Sequence, residues 1–523
     1  MSTPLPSPVI AIHGGAGTLS RSLVSDAQKN AYHAALNDIL VAGQRCLAEG
    51  GSALDAVALA VSLLEDCPLF NAGHGAVFTR DETHELDAAV MDGDGLRAGA
   101  VAIPVSPHVA QDLLPVIVAS TTPTAVFAAP RELHRWSATL TGLARRGFPE
   151  LLSGEGRGAP PRRRARGEAA CIIFTSGSTG VARGVTCTHA AILAAVGGIN
   201  RVLGQRQEDR ILCALPFSFD YGLYQVFLAM ACGAAVVVAA PAAAITGLPR
   251  LLADRRITVL PLVPGLSVLL LRSRMLERLT PRTLRMVTST GDLLPSAQVD
   301  RWRSLLPNAC VVPMYGLTEC KRVAIMPPHL GPAAPSGSVG LPLPGTKVHL
   351  RPSGAQASDT TWGELWVMGP HLMAGYWGDA EATRQRFPMD PETGARQLRS
   401  GDAFTRDADG FLRFLGRMDA LGHWRGQWLF TAPLEDRLAR LPPVDQAAVV
   451  LQRESGEVRQ IHAFLSTTAD AEVLKAEARS LIADTWSQPP AIDVICRPKL
   501  PYTANGKIDR AALLASVSER ALP

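Results

Sequence analysis

One stretch restricts what this chain can fold into more than any other: Ile172-Ile173-Phe174-Thr175-Ser176-Gly177-Ser178-Thr179-Gly180-Val181-Ala182-Arg183-Gly184-Val185. An apolar run of strand type, begun by Ala169 to Cys171, feeds a loop rich in glycine and hydroxyl side chains, with Arg183 near its end. Glycine permits the positive-φ backbone that turns several N–H groups inward as an anion nest, and the Thr and Ser hydroxyls add further donors. These residue types point to phosphate. The Walker-A spacing G-x-x-x-x-G-K-[ST] is not met, which disfavours an ordinary P-loop NTPase. A hydroxyl-rich surface turn is the alternative reading.

Length sets the frame for that loop. At 523 residues the chain exceeds a single core and predicts roughly two to four domains. A hydrophobic content of 47% with 19% charged residues is globular, and a net charge of +4 is too small over this length to argue for a nucleic-acid partner. The nine cysteines are scattered without a C-x-x-C pair. That pattern suits reduced thiols in a cytoplasmic protein better than a disulfide scaffold or a zinc site. Met1 to Pro8 lacks a basic region followed by an apolar core, so no signal peptide is read. The most apolar windows, near Val226 to Ala244 and Val259 to Leu271, are interrupted by Cys, Gly or Pro and predict buried α/β elements, with no membrane span.

The front of the chain has its own character. Val9 to Ile12 forms a short strand-type run into His13-Gly14-Gly15-Ala16-Gly17-Thr18, and helical spacing runs from about Asp26 to Glu49. A second helix is predicted from Ser52 to Glu65. Two long motifs follow, Leu69 to Asp81 and His84 to Gly93. This wording, over about residues 9–102, resembles the plant-type asparaginase and isoaspartyl peptidase family of N-terminal-nucleophile hydrolases. Its members cut themselves before a threonine in a G-T-x-G setting, and the freed amine serves as base for the hydroxyl of that residue. No such threonine segment follows here, and the nearest string, Gly337-Ser338-Val339-Gly340, lies far downstream. Hydrolase activity is therefore expected to be absent, and the half-fold would carry an unpaired sheet edge unless something covers it.

Ala98-Gly99-Ala100-Val101-Ala102-Ile103-Pro104 fits that family and equally resembles the a-G-A-V-a-v-P stretch of a second one. A join inside a shared string predicts a fusion there. The second family is the adenylate-forming superfamily of acyl-CoA synthetases and peptide-synthetase adenylation domains, and the resemblance covers about residues 98–523. Its phosphate loop reads roughly T-S-G-[ST]-T-G-x-P-K-G-V, so Thr175, Ser176, Gly177, Ser178, Thr179, Gly180 and Arg183 are implied to contact the ATP phosphates. Arg183 stands where Lys is usual; it keeps the charge as a planar fork.

Later motifs extend the resemblance. Thr288-Ser289-Thr290-Gly291-Asp292 is a strand-end turn, with Gly291 and Asp292 implied in nucleotide binding. In Met314-Tyr315-Gly316-Leu317-Thr318-Glu319, Tyr315 and Gly316 are implied beside adenine, Thr318 at the α-phosphate and Glu319 on Mg²⁺. A carboxylate next to phosphate oxygens suits magnesium, and an aromatic face suits a purine. Asp402 is implied to take the ribose hydroxyls with Arg417 assisting, while Asp419 marks a hinge and Lys507 reaches the attacking carboxylate and the α-phosphate. Leu215 to Gln225 falls where the family lines its carboxylate pocket, and Phe219-Asp220 occupies the register in which peptide-synthetase domains pair Asp with the substrate ammonium. A helix cap is the alternative for Asp220. Asp409-Gly410 reads as a hairpin turn. The basic cluster Arg162 to Arg166 reads as a solvated surface loop.

The expected organisation is an asparaginase-like fragment over 1–102 without its nucleophile, an AMP-binding large domain over 103–418 lacking its leading part, and a lid over 419–523. The fold class is α/β, an adenylate-forming ligase with a small mobile α+β lid, preceded by a partial N-terminal-nucleophile-like segment. The implied activity is adenylation of a carboxylic or amino acid by ATP with Mg²⁺, followed by transfer to CoA or to the phosphopantetheine of a carrier protein. A β-aspartyl hydrolase and an inactive nucleotide-binding fusion are the competing readings.

Overall fold

The computed structural model describes residues 26–49, 56, 59–60, 63, 67, 101–105, 110–121, 123, 125–128, 130–141, 144–146, 167–176, 182–273, 283–352, 362–454, 457–468, 471–486, 488–503 and 506–518. The chain divides into two compact units, residues 1–101 with 107–164 and residues 102–106 with 165–523.

In the first unit, α1 (Asp26–Ala48) follows the helical spacing, and its Ile39 buries with Ala60 against Tyr32, Leu36 and Leu63. Helix α2 spans Ala110–Thr121. Strand β1 (Ala125–Phe127) pairs in parallel with β2 (Ala144–Arg146), and α3 (Pro130–Arg135) lies between them in the chain. The motifs at 13–18, 69–81 and 84–93, most of the predicted second helix and the cluster Arg162 to Arg166 lie outside the described residues.

The second unit is built on a seven-stranded sheet of order β11-β10-β9-β8-β7-β5-β6. Its strands are β5 (Arg210–Cys213), β6 (Ala235–Val238), β7 (Val259–Leu262), β8 (Met286–Ser289), β9 (Cys310–Tyr315), β10 (Ala324–Ile325) and β11 (Leu341–Pro342). Strands β5 to β9 run parallel, and β10 and β11 add on antiparallel. Parallel strands covered by helices read as continuous apolar runs, as Val259–Leu262 does with every residue buried. The crossovers are α5 (Asp220–Cys232), α6 (Pro241–Asp254), α7 (Pro264–Arg272) and α8 (Ser296–Leu305), and α4 (His189–Leu203) precedes β5. Both apolar windows of the sequence fall here, as α5 with β6 and as β7 with α7. No helix among the described residues is long and apolar enough to cross a membrane.

Strands β3 (Ala169–Ser176) and β4 (Ala182–Thr188) form a hairpin that β14 (Gly375–Tyr376) extends. Ala102 bridges its open edge: the Ala102 N–H donates to Ala170 O at 3.1 Å, and Ala102 O accepts from the Ile172 N–H at 2.9 Å. A second antiparallel sheet has the order β12 (Lys347–Arg351), β13 (Trp362–Met368), β15 (Leu398–Arg406), β16 (Leu412–Arg417). Helix α9 (Ala380–Arg386) lies between β14 and β15 in the chain. Beyond Asp419 come the hairpin β17 (Gly422–Trp424) and β18 (Gln427–Leu429), helix α10 (Thr431–Leu438), and the sheet β19 (Gln446–Glu454), β20 (Glu457–Ser466), β21 (Ala491–Arg497) with α11 (Ala471–Ala483) and α12 (Arg510–Ser518). Val449, Ile461 and Ala463 of that sheet bury against Leu474, Ala478 and Ile482 of α11.

Candidate active site

The β3–β4 register pairs Thr175 with Arg183 and Ser176 with Ala182, the hairpin pairs nearest the glycine run. Gly177, Ser178, Thr179 and Gly180 lie outside the described residues. Arg183 sits 5.4 Å from the centre of the Tyr376 ring, with its Nε 3.9 Å from Asp379 Oδ2. The Tyr376 hydroxyl in turn donates to Glu319 Oε1 at 2.7 Å, which ties the base of the loop to the motif after β9.

That motif is a tight turn. A Cβ on Gly316 would lie 1.9 Å from Lys321 O, so no side chain fits there. Lys321 N–H closes the turn onto Leu317 O at 2.6 Å, with Thr318 half-buried inside it. Glu319 Oε1 lies 3.4 Å from Arg386 Nη2. Burial works against the Glu319 carboxylate, but the Arg386 guanidinium and the Tyr376 hydroxyl outweigh it and hold the pKa below the ordinary glutamate value. Glu319 is thus ionised. A magnesium ion held chiefly by nucleotide phosphates needs one or two such carboxylates, and the donor set fits that demand. Arg386 was not a sequence candidate; its only signal is a basic residue in the last turn of α9.

Asp402 lies on β15, and four groups converge on it. The Tyr315 hydroxyl donates to its Oδ2 at 2.5 Å, and Arg417 Nη1 stands 3.6 Å from Oδ1. Arg386 and Lys507 act on it through their charge. Burial raises the Asp402 pKa above the ordinary aspartate value, against the pull of Arg417 and the Tyr315 hydroxyl. Asp402 Oδ1 is shielded from solvent and accepts no hydrogen bond. A buried acceptor without a donor is an arrangement that vicinal hydroxyls would satisfy. Tyr315 itself packs on Phe404 and Phe414, with ring centres 4.7 and 6.3 Å away. Lys507 is exposed on a loop closed by Thr503 N–H to Lys507 O at 2.8 Å.

Phe219 and Asp220 open α5. Phe219 is the N-cap and no side chain caps the helix, so the capping alternative for Asp220 fails; Asp220 is the first helical residue and is 5% exposed. Gly291 has φ +98°, and the Phe219 ring approaches to 3.5 Å of where a Cβ would stand. Asp292 accepts from Leu293 N–H and lies 3.6 Å from Arg510 Nη1, which turns it toward α12. Sequence reasoning passed over Lys321. Burial opposes its charge, but the Cys187 sulfur, held below the ordinary thiol pKa by its hydrogen bond with Cys171 and by Lys321 itself, and the Asp220 carboxylate prevail and raise its pKa.

Tyr376 thus joins the hairpin to Glu319, and Asp402 joins Tyr315 to Arg417 and feels the charge of Lys507. Residues 95–377, more than half of the chain, match the family model of AMP-binding enzymes. The chain belongs to that family. Residues 6–107 match the asparaginase family model, so the two matches share residues 95–107, the string in which the sequence predicts a join. The isoaspartyl peptidase of Escherichia coli (strain K12) is 66% identical over 94 residues, which is 18% of this chain and 29% of that protein. Novobiocin biosynthesis protein H of Streptomyces niveus is 32% identical over 375 residues, 69% of this chain and 59% of that one. The chain therefore spans less than two thirds of either relative. The anthranilate CoA ligase AuaEII, solved in complex with anthranoyl-AMP, shares the fold with a TM-score of 0.70 and 20% identity, over 82% of this chain and 85% of that one. The fold is that of an adenylate-forming α/β ligase.

Proposed function

We propose that this AMP-binding enzyme activates a carboxylic or amino acid with ATP to an acyl-adenylate, releasing pyrophosphate, and passes the acyl group to CoA or to a carrier-protein phosphopantetheine. The carrying observation is Asp402, a buried carboxylate with a vacant acceptor beside Tyr315, Arg417 and the ionised Glu319. In this reading Asp402 accepts the ribose hydroxyls, and Thr175 with the following loop residues through Gly180 and Arg183 holds the phosphates. Gly291, Tyr315 and Gly316 frame the base, while Thr318 donates to the α-phosphate. A magnesium ion on Glu319 would neutralise phosphate charge. Lys507 holds the attacking carboxylate against the α-phosphorus, so orientation and charge stabilisation lower the barrier. Phe219 and Asp220 line the acid pocket, with Asp220 facing a substrate ammonium. Arg386 joins this set as a third cation beside Arg183 and Arg417.

We assign residues 1–102 to the asparaginase-like segment, 103–418 to the large domain and 419–523 to the lid, which swings about Asp419 for the second step. Nine free cysteines support a reducing, cytoplasmic setting. The hydrolase reading gains nothing from Ser338, which is buried with its hydroxyl spent on Leu412 O and the Gly340 N–H. ATP–pyrophosphate exchange over a panel of amino acids and simple acids tests the proposal. Exchange driven by at least one acid is expected. ATP binding with no exchange would leave an inactive fusion, and ammonia release from asparagine would restore the hydrolase.

A further inference from the structure

We infer that helix α7 is the strut that sets Lys507 against the reacting atoms, with Arg272 at its C-terminal end as the positioning residue, an inference that rests on the adenylation reading of the site. The Arg272 guanidinium spends its donors on the ends of three lid strands. Its Nε donates to Asp445 Oδ2 at 2.8 Å, its Nη2 to Ser466 Oγ at 2.7 Å and its Nη1 to Pro498 O at 2.8 Å. Asp445 leads into β19, Ser466 ends β20 and Pro498 follows β21, and the register sets Ser466 beside both Gln446 and Arg497. A planar fork of fixed donors meets three such acceptors at once in only one orientation of the lid. A second line runs from the middle of α7: Ser267 Oγ donates to Gln298 Oε1 at 2.7 Å, and Gln298 Nε2 donates to Asp445 O at 3.2 Å.

The other end of α7 meets the loop that carries Lys507. A Cβ on Gly265 would lie 2.9 Å from Gly506 O and 3.0 Å from Tyr502 Cε1, and a Cβ on Gly506 would lie 2.8 Å from Val263 Cγ2. Neither glycine can take a side chain without moving the loop. Gly506 also stands at φ +73°, a second reason for glycine there. Lys507 is the next residue, so its ammonium rides on a loop seated against the first turn of α7. Pro498, gripped by Arg272, opens the chain segment that leads into that loop. The nine residues of α7 span roughly 13 Å, a rigid spacer between the two grips. The Lys507 side chain is exposed, and its charge is felt at Asp402. Its aim therefore comes from where its loop is seated, and Arg272 acts on the reaction through Lys507.

Arg272→Ala frees the lid to leave the adenylation pose, which lowers the competent fraction of the enzyme. The kcat for ATP–pyrophosphate exchange should fall by roughly 10- to 100-fold, the scale of hydrogen bonds to a charged group, with the calorimetric ATP dissociation constant unchanged. Arg272→Lys keeps the charge, loses the fork and should recover only part of that loss. Gly265→Ala favours the helix itself yet sets a methyl against Gly506 O, so it should reproduce the loss from the other end, and it carries the decision should Arg272→Ala not fold. The decisive reading is the double variant: on a Lys507→Ala background, removing Arg272 should cost nothing further, because the two act as one unit. Wild-type exchange in Arg272→Ala or in Gly265→Ala, or a loss of full size on top of Lys507→Ala, would overturn the proposal. If no acid drives exchange, the adenylation reading fails, and amide hydrogen exchange at Thr503 and Gly506 in the nucleotide-free enzyme decides the strut separately: faster exchange in Arg272→Ala than in wild type supports it, and equal protection sinks it.

Discussion

Arg510 lies three residues beyond Lys507 and clamps the start of α12 to the rest of the lid. Its Nη2 donates to Glu435 Oε1 at 2.9 Å and to Oε2 at 2.7 Å, while Nη1 reaches toward Asp292. Glu435 is 7% exposed, and its other partner is the Val449 N–H at 2.8 Å. Truncating Arg510 to Ala leaves a buried carboxylate with one donor. Breaking a buried pair from one side costs about 3–5 kcal/mol. The Arg510 side chain is 35% exposed, so water can partly replace it and the expected loss is about 2–3 kcal/mol. The loss must depend on pH. Burial already raises the Glu435 pKa, with Arg510 opposing that rise, and removing Arg510 raises it further. A carboxyl with a raised folded pKa destabilises most at high pH and least once it is protonated. The gap between wild type and Arg510→Ala should therefore shrink as pH falls through the raised value. Urea unfolding followed by tryptophan fluorescence, at neutral and mildly acidic pH, measures both. Arg510→Ala combined with Glu435→Gln should be less destabilised than Arg510→Ala alone. Wild-type stability in Arg510→Ala, or a loss unchanged by pH, would refute the buried-charge account.

Lys507→Ala should lower exchange by about 100-fold or more while ATP affinity changes little, since an exposed loop lysine acts chiefly in the transition state; an equal loss of ATP affinity would contradict the role. Arg417→Ala removes a cation that holds down the Asp402 pKa, so the carboxylate should protonate at higher pH, and ATP affinity, measured by calorimetry across pH, should fail earlier on acidification than in wild type. His371 is buried, its Nε2 has no partner, and burial pushes its pKa from 6.5 to about 4. Because the unfolded chain binds that proton first, stability should fall by about 3 kcal/mol as pH drops from the unfolded to the folded value. His371→Leu should flatten that limb of the urea stability curve, and a limb of unchanged slope would count against it.

Much of this was legible because local chemistry and global fold agree. The run Ile172–Phe174 and the glycines after it read as strand and loop, and β3 and β4 bracket that loop. The helical spacing after Asp26 gave α1, and the two apolar windows read as buried elements because Cys, Gly or Pro interrupts each of them. Asp402 and Tyr315 were named separately, but their hydrogen bond joins residues 87 apart in the chain, and no local pattern announces such a contact. Arg386 and Lys321 were missed for the same reason. A basic residue ending a helix, or following a carboxylate in a turn, is usually solvated, and only the packing of β14, α9 and the β9 turn reveals Lys321 as buried and Arg386 as half-buried.

The central claim is that a substrate carboxylate oxygen attacks the α-phosphorus of ATP. Supplying an acid found active by exchange, with heavy oxygen in its carboxylate, and weighing the AMP released after acyl transfer or hydrolysis tests this directly. The account predicts one heavy carboxylate oxygen in each AMP, because the P–O bond formed in adenylation persists when the acyl carbon is attacked. AMP whose new oxygen comes only from solvent water would mean that the chain hydrolyses ATP without activating an acid.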